Sequence, residues 1–235
     1  ILQRAHTLAH ETDGAFDITA GPMIRLWRAA RKQQKLPTPE ILAAVKTRVG
    51  YKKIRLNSRN RTVTLLAANM QLDLGGIAKG FAVDEAMKTL KANCIHRAFV
   101  AASGDMLTSG PPIGHEGWRV LIRNVDQFGN VYPRTVHLNH QALSTSGDTE
   151  QFVLINGQRY SHIVDPRTGY GLTHRIQVTV VSKASVKSDS HATAISVLGH
   201  KAGLTFAKRK ELQTLILDLK NEKPRITQSL YWRLW

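Results

Sequence analysis

A histidine follows a strand-like run in the segment QFVLINGQRYSHIVDPRTG at residues 151–169. Asn156 and Gly157 are the pair that a type I′ turn prefers, so the segment is predicted to form a hairpin with His162 at its open end. An imidazole in that place has two interpretations, and both involve Asp165. The ring is a structural donor to this carboxylate, or the carboxylate orients the ring so that its other nitrogen takes a proton from a substrate hydroxyl.

A second candidate is the glycine-rich junction LDLGGIAKGFAVD at residues 72–84, where an apolar strand end passes into a Gly-Gly turn and then a helix. Free backbone N–H groups and the positive end of the helix dipole lie at such a junction, and Lys79 adds a cation, which together suit phosphate oxygens. The spacing matches neither a Walker loop nor a dinucleotide fingerprint. Two interpretations fit the junction: a phosphate site, or glycines that let a helix pack closely on a sheet.

Oxygen-bearing groups share one face of the segment SDSHATA at residues 188–194. On a helix Asp189, Ala192 and Thr193 occupy positions i, i+3 and i+4. The ring of His191 points elsewhere on such a helix. A carboxylate, a main-chain carbonyl and a hydroxyl are hard oxygen ligands, which suit Mg²⁺ or Ca²⁺ better than zinc. The alternative is an acidic residue that stabilises its helix N-terminus, beside a threonine that only fills space.

Two Ser-Gly-Asp sequences follow apolar runs, at residues 103–105 and 146–148. Glycine allows a tight turn, and an aspartate side chain commonly bonds to the turn backbone. We therefore expect tight turns at Gly104 and Gly147. Turn formation is the structural interpretation for both sequences, and we favour it for Asp105.

Hydrophobic periodicity predicts the elements that position these residues. Helices are predicted from residue 1 to a turn at residues 12–17, from Thr38 to Gly50, and over residues 77–92, 188–198 and 202–209. Strands are predicted near residues 53–56, 62–66, 97–102, 118–123, 131–138, 177–181 and 214–219, besides the hairpin. The economical interpretation is one α+β domain over residues 1–235, with helices packed on a largely antiparallel or mixed sheet.

The composition limits the classes of partner. The chain has 235 residues with a formal net charge of +16, and no apolar run approaches the length of a membrane span. A basic chain suits nucleic acid, a membrane surface or a phosphate-bearing ligand. The basic residues are scattered, and no recognition helix or aromatic RNA-binding motif accompanies them, so we expect no nucleic-acid partner. The one cysteine, Cys94, excludes an internal disulfide and a cysteine-rich metal site, and we expect it to be a packed thiol.

Five motifs, taken together and in this order, resemble the FAD:protein FMN transferase (ApbE) family: TDGAFD, LDLGGIAKGFAVD, SGD, SHIVDPRTG and SDSHATAISVLG. The resemblance covers nearly the whole chain after residue 11, and five motifs in register are far more specific than any one of them. It implies a magnesium-dependent enzyme that moves the FMN half of FAD onto a threonine hydroxyl of a target protein and releases AMP.

The resemblance also implies roles for single positions. Contacts with FAD are implied at Ala15, Phe16, Asp17, Asp73, Lys79 and Ile163. Magnesium ligands are implied at Gly76, Asp189, Ala192 and Thr193, the glycine and the alanine through main-chain oxygen. His162 falls at the family's proposed catalytic base. The glycine-rich junction is then a pyrophosphate site, and the helix face at Asp189 is half of a metal site.

Known targets of the family are subunits of membrane redox pumps and related electron carriers, usually outside the cytoplasm, so the resemblance implies such an acceptor and a periplasmic or extracytoplasmic location. The sequence begins at Ile1 inside an apolar helical stripe, and we expect the natural N-terminus, with any leader or lipid anchor, to lie upstream. The alternative function is a protein that binds or hydrolyses FAD without modifying a partner. Binding alone needs neither His162 nor a full set of oxygen ligands, which favours the enzyme.

Overall fold

The computed structural model describes residues 1–125, 130–147, 151–219 and 224–232. Its helices are α1 (Leu2–Glu11), α2 (Gly21–Gln33), α3 (Pro39–Lys46), α4 (Ala78–Ala92) and α5 (Ser185–Arg209). Its strands are β1 (Ile54–Asn57), β2 (Thr62–Leu65), β3 (Phe99–Ala102), β4 (Asp105–Thr108), β5 (Trp118–Val125), β6 (Val131–Leu138), β7 (Ala142–Gly147), β8 (Phe152–Ile155), β9 (Gln158–Ser161), β10 (Ile176–Ser182), β11 (Gln213–Asp218) and β12 (Arg225–Gln228). The chain divides into two compact units.

The first unit comprises Ile1–Leu74 and Glu150–His174, and its core surrounds Trp27 of α2. The indole packs with Ile155 and Val164 in one apolar cluster. Its Nε1 donates a hydrogen bond of 2.9 Å to the main-chain oxygen of Ser161, the residue before His162. A fully buried side chain of α2 therefore anchors the end of β9, which carries the candidate base.

The predicted hairpin is confirmed as β8 and β9. Asn156 has a φ of 51° and Gly157 a φ of 74°, so both lie in the left-handed region that a type I′ turn requires. The strands pair antiparallel. Beyond the last strand pair, the backbone N–H of His162 donates to the oxygen of Gln151 at 2.9 Å. The backbone at the candidate base is thus held by a ribbon bond on one side and by the Trp27 contact on the other.

The second unit comprises Gly75–Thr149 and Arg175–Trp235, and it is built on a six-stranded sheet with the order β12-β11-β10-β7-β4-β3. Every pairing in this sheet is antiparallel. β10 is buried from Ile176 to Val181; α5 packs on it, and Val181 also joins an apolar cluster with the β5–β6 hairpin. The predicted α+β fold with a largely antiparallel sheet is confirmed, whereas its extent as one domain over residues 1–235 stays a prediction.

Helices α4 and α5 pack on this sheet and on each other. Val83 and Met87 of α4 lie in an apolar cluster with Leu107 of β4. The buried face of α5 is lined by small residues, which allow a close approach to its neighbours: Ser185, Ser188, Ala192 and Ser196. Gly199 has a φ of 76° and interrupts α5, so the two helices predicted over residues 188–198 and 202–209 correspond to its two parts.

The sequence prediction omits α2, β4, β7 and β12. Met23, Trp27 and Ala30 are buried at helical spacing in α2, so a periodic signal was present there. The helix that begins after Thr38 ends at Lys46 and not at Gly50. Gly50 instead has a φ of 143° and leads into a 3₁₀ turn at Tyr51–Lys53, which turns the chain into β1.

The turn predicted at Gly104 is confirmed, since this glycine has a φ of 92° between β3 and β4. The turn predicted at Gly147 is wrong: this residue lies in β7 opposite Gln177, whose Cγ would meet an added Cβ at 3.2 Å. The aspartate that follows it lies outside the described residues. Cys94 is exposed and not packed, because it follows the end of α4 with a φ of 62°. Within the described ranges, no helix combines the length and apolarity needed to cross a bilayer.

Candidate active site

His162 is half-buried, and its ring is held by the backbone of the opposite strand end. Its Nδ1 lies 3.1 Å from the main-chain oxygen of Gln151. A carbonyl oxygen only accepts, so Nδ1 carries the proton and the neutral ring has its lone pair on Nε2. That tautomer is the one a general base needs when it acts through Nε2.

The expectation that Asp165 is the partner of His162 is wrong. The carboxylate of Asp165 forms a two-pronged ion pair with Arg167, with Nε to Oδ1 at 2.9 Å and a terminal nitrogen to Oδ2 at 2.8 Å. It also accepts the backbone N–H of Arg167 at 2.9 Å. These bonds close the turn that follows the histidine, so Asp165 shapes the backbone of this segment, while the ring of His162 contacts Gln151.

The motif TDGAFD supplies three buried residues of the first unit: Ala15, Phe16 and Asp17. The Oδ1 of Asp17 accepts the backbone N–H of Thr19 at 2.8 Å and its hydroxyl at 2.7 Å. Burial raises the pKa of the Asp17 carboxyl above its ordinary value, although the bonds from Thr19 lower it. A backbone hydrogen bond from Tyr51 also lowers this pKa. The role of Asp17 toward FAD stays a prediction.

Asp73 and Ile163 complete the FAD positions predicted in the first unit. The N–H of Asp73 donates to the oxygen of Ile18 at 2.8 Å, which joins the end of LDL to the segment after TDGAFD. Its carboxylate lies 3.5 Å from an Arg28 nitrogen on α2. The N–H of Ile163 donates to the hydroxyl of Ser161 at 3.0 Å. The fold of this unit therefore brings Asp73 close in space to the end of TDGAFD, and Ile163 directly follows the candidate base.

In the second unit, two carboxylates cap two helices reciprocally. The N-cap residues of α4 and α5, Ile77 and Ala184, make no side-chain cap. The Oδ2 of Asp189, on α5, accepts the N–H of Gly80 in the first turn of α4 at 2.9 Å. Asp84, on α4, accepts the first two N–H groups of α5, from Ser185 at 2.6 Å and Val186 at 3.0 Å.

Gly80 makes this junction possible. An added Cβ would lie 2.6 Å from the carbonyl carbon of Ser185 and 2.8 Å from the Cβ of Asp189. A side chain at this position would hold the two helices apart and break the bond between Asp189 and Gly80. The glycine therefore acts in close packing, as one of the two interpretations from the sequence expected, but the element it meets is helix α5 and not a sheet. The junction that it allows carries a candidate metal ligand.

Asp189 lies in an unfavourable electrostatic environment. Its side chain is only 5% exposed. Burial and the nearby Asp105 carboxylate raise the pKa of Asp189 to about 6, while the Gly80 bond and Lys79 act in the opposite direction. Asp105 is itself 2% exposed and forms an ion pair with Lys79. The preferred turn role for Asp105 is therefore wrong, because its carboxylate binds the lysine of the glycine-rich junction instead.

The hydroxyl of Thr193 fits a ligand role. Elsewhere in α5, the hydroxyls of Ser190 and Ser196 donate to main-chain oxygens four residues earlier, at 2.7 and 2.9 Å. Within the described part of the chain, Thr193 makes no such bond and Oδ1 of Asp189 accepts none. Both oxygens are therefore available to a hard cation such as Mg²⁺.

The other two predicted magnesium ligands, the main-chain oxygens of Gly76 and Ala192, differ in how freely they could bind a cation. Gly76 is partly exposed just before α4. The oxygen of Ala192, by contrast, accepts the Ser196 hydroxyl at 2.9 Å in addition to its place in the helix ladder. Among the described residues there is no group of three or more His, Cys, Asp or Glu side chains that could hold a metal. A site here would depend on one carboxylate together with hydroxyl and main-chain oxygens, which suits Mg²⁺ and not zinc.

Sequence reasoning missed two residues of this arrangement. Asp84 stands in the quoted glycine-rich motif, but its partners lie 101 and 102 positions further along the chain. Asp105 was interpreted as a turn residue, because its partner Lys79 lies 26 positions away and no local pattern links the two. Helical spacing could have placed Gly80 and Asp84 on one face of α4, yet no local signal identifies the helix that this face meets.

Comparison with known proteins agrees with the motifs. The family model described as the ApbE family matches residues 1–216. The chain is 31% identical to the FAD:protein FMN transferase of Haemophilus influenzae, in an alignment that covers 97% of this chain and 68% of that protein. It is 28% identical to the enzyme of the same name from Salmonella typhimurium, with 94% and 65% covered. The chain thus spans about two thirds of the length of these curated relatives.

Solved structures agree with the fold. The flavin transferase ApbE from Vibrio cholerae matches with a TM-score of 0.89 at 28% identity, covering 98% of this chain and 74% of that one. The apo form of the flavinyl transferase ApbE from Pseudomonas stutzeri matches with a TM-score of 0.87 at 28% identity, covering 98% and 72%. The predicted fold class and family are confirmed, and the predicted flavin transfer agrees with the names of these relatives. The chain belongs to the ApbE family.

Proposed function

We propose that this chain transfers the FMN half of FAD onto a threonine hydroxyl of an acceptor protein and releases AMP, with Mg²⁺ bound at the α4–α5 junction. The observation that carries the proposal is the environment of Asp189. This carboxylate is nearly buried beside a second carboxylate, has one oxygen on a helix N–H, and belongs to a chain whose relatives are FMN transferases. A divalent cation would offset the negative charge that burial makes unfavourable there.

The residues of the second unit would bind the charged part of FAD. Asp189 and Thr193 would hold the metal through side chains, with the main-chain oxygens of Gly76 and Ala192, the latter after releasing the Ser196 hydroxyl. When bound, magnesium supplies positive charge that offsets the charge developing on the pyrophosphate. Lys79, whose side chain is 45% exposed and held by Asp105, would contact a phosphate oxygen.

His162 would act as the general base. In the transfer, the threonine oxygen forms a bond to the phosphorus of the FMN half, and the bond from that phosphorus to the AMP oxygen breaks. The hydroxyl proton passes to Nε2 of His162, whose Nδ1 donates to Gln151 and so leaves the lone pair on Nε2. Such assistance contributes ~10²–10⁴-fold to a rate, because a neutral hydroxyl is a weak nucleophile.

The flavin nucleotide would contact Ala15, Phe16, Asp17, Asp73 and Ile163 of the first unit. We further propose that the acceptor is a redox-pump subunit or a related electron carrier, and that the chain works in a periplasmic or extracytoplasmic compartment. Both proposals are supported by the family resemblance alone. Pull-down of flavin-labelled proteins from the periplasmic fraction of the source cells, with cytoplasmic extract as control, tests them together.

The decisive experiment is incubation of the full chain with FAD, MgCl₂ and an acceptor domain that carries the target threonine. We expect a fluorescent acceptor with the mass of FMN added, AMP in equal amount, and no product when threonine is replaced by valine. Bound FAD without labelled acceptor would instead support a flavin-binding protein. Release of free FMN and AMP without labelling would support an FAD hydrolase.

A further inference from the structure

Helices α4 and α5 are joined by two sets of hydrogen bonds between an aspartate carboxylate on one helix and backbone N–H groups on the other, here called the two rungs of a ladder. Gly80 and Asp84 lie one turn apart on α4, and Ser185 and Asp189 lie one turn apart on α5. Asp84 accepts from Ser185, and Asp189 accepts from Gly80. Because the earlier residue of each helix meets the later residue of the other, the helices run in opposite directions at this contact.

From this ladder we propose that Asp84 is a positioning residue for the metal site, which fixes the first turn of α5 and thereby the place of the Asp189 carboxylate. The proposal rests on the proposed function, since Asp189 is there a magnesium ligand. Asp84 itself would touch neither metal nor FAD. Residues of this kind hold a ligand in its binding geometry through the main chain that carries it.

The hydrogen bonds of Asp84 make it the sole cap that the structure gives α5 within the described residues. Its two oxygens accept separate N–H groups, from Ser185 and Val186, and Ala184 has no side chain that could replace them. A carboxylate also interacts favourably with the positive end of the helix dipole. Without Asp84, two buried N–H groups would be unsatisfied, and the first turn of α5, which directly precedes Asp189, would be the first to open.

The rungs differ in what they do. Asp189 uses Oδ2 to accept the N–H of Gly80, and its Oδ1 accepts no hydrogen bond within the described residues. Asp84, which is 9% exposed, uses both carboxylate oxygens to accept backbone N–H groups, from Ser185 at 2.6 Å and from Val186 at 3.0 Å. Asp84 is thus fully committed to structure, whereas Asp189 retains an oxygen for a ligand. The division of roles follows from hydrogen-bond geometry and not from sequence, where both are single aspartates on helices.

The test uses Asp84→Ala and Asp84→Asn in the full chain, with Ser185→Ala as the matched control. Ser185→Ala keeps the N–H that Asp84 accepts and removes a buried hydroxyl that has no hydrogen-bond partner among the described residues. Binding is measured by calorimetric titration of MgCl₂ into FAD-bound protein, and amide exchange is measured at Ser185 and Val186. Thr38→Ala, which removes the cap of α3 in the first unit, controls for a general loss of stability.

We expect Asp84→Ala to weaken magnesium binding by ~10–100-fold and to speed amide exchange in the first turn of α5, while FAD affinity changes little. Asp84→Asn should lie between Asp84→Ala and the unsubstituted chain, because its one amide oxygen can accept one of the two bonds. Ser185→Ala and Thr38→Ala should bind magnesium normally. If Asp84→Ala is unfolded, the intermediate affinity of Asp84→Asn supports the proposal, and normal affinity overturns it.

A failure of the Asp84 proposal can be distinguished from a failure of the proposed function. If the unsubstituted chain binds magnesium and the folded Asp84→Ala variant binds it equally well, Asp84 does not position the site, and the proposed function is unaffected. If the unsubstituted chain binds no magnesium, the metal assignment fails and this proposal fails with it. Equal weakening by Thr38→Ala would also overturn the proposal, since a general loss of stability would then explain the effect.

Discussion

Replacing Gly80 with alanine adds one methyl group at the contact between α4 and α5. The added Cβ would lie 2.6 Å from the carbonyl carbon of Ser185 and 2.8 Å from the Cβ of Asp189. Separations below 3.0 Å are essentially never seen for real Cβ atoms. Because the atom of Ser185 belongs to the backbone, no side-chain rotation relieves the clash, and one helix must move.

The change in the free energy of unfolding caused by Gly80→Ala is the balance of opposing effects. Alanine is favoured over glycine in a helix interior by ~1 kcal/mol. Overpacking a buried contact costs ~1–3 kcal/mol, and losing a hydrogen bond to a buried carboxylate costs a further ~1.5–3 kcal/mol. We therefore expect Gly80→Ala to lower the free energy of unfolding by roughly 1.5–5 kcal/mol, with a parallel loss of magnesium affinity.

Urea unfolding of the metal-free chain, followed by circular dichroism, measures this change. Ala86→Gly is the matched control, since Ala86 lies on the exposed side of the same helix and reports the intrinsic difference between the two residues. That control should lose ~1 kcal/mol. If Gly80→Ala were as stable as the unsubstituted chain or more stable, the α4–α5 contact would be able to relax, and the steric argument would be wrong.

Three further substitutions test the site. Asp189→Asn should raise the free energy of unfolding of the metal-free chain by about 3 kcal/mol above pH 6. Between pH 3.8 and about 6 the folded unsubstituted chain binds a proton that the unfolded chain does not, so this gain should shrink as pH falls through that window; a pH-independent difference would contradict it. His162→Ala should keep FAD affinity and lower transfer by ~10²–10⁴-fold, and equal turnover would remove the histidine from the mechanism. Thr193→Val should weaken magnesium binding in calorimetry without changing urea unfolding, because the Thr193 hydroxyl donates to no main-chain oxygen within the described residues; unchanged affinity would exclude it as a ligand.

The features that the sequence predicted well are those set by neighbouring residues. The turn at Asn156 and Gly157 fixes the hairpin because both residues adopt positive φ readily, and so the backbone position of His162 follows from local chemistry. The helical spacing of Asp189 and Thr193 likewise follows from the period of α5. The family motifs added roles that neither spacing nor turn chemistry provides.

What the sequence did not predict depends on distant partners. The bonds of Asp84 to α5 span 101 and 102 positions, and Lys79 reaches Asp105 only because β4 lies beside α4. Asp165 has two candidate partners within three residues, His162 and Arg167, and it pairs with Arg167, whose planar fork fits a carboxylate. Local pattern cannot rank competing partners for one charged group, because their separation is decided by packing.

The substitutions at Gly80 and Asp84 are informative as a pair because they disturb the same contact in opposite ways. Gly80→Ala adds volume between the helices and removes no polar group, whereas Asp84→Ala removes two hydrogen bonds and adds no volume. If magnesium affinity depends on where α5 holds Asp189, both should weaken it, and the double variant should lose less than the sum, since either change alone already frees the first turn of α5. Additive losses would mean that the two residues act on the metal site independently, and the ladder would then be a packing feature without a role in ligand geometry.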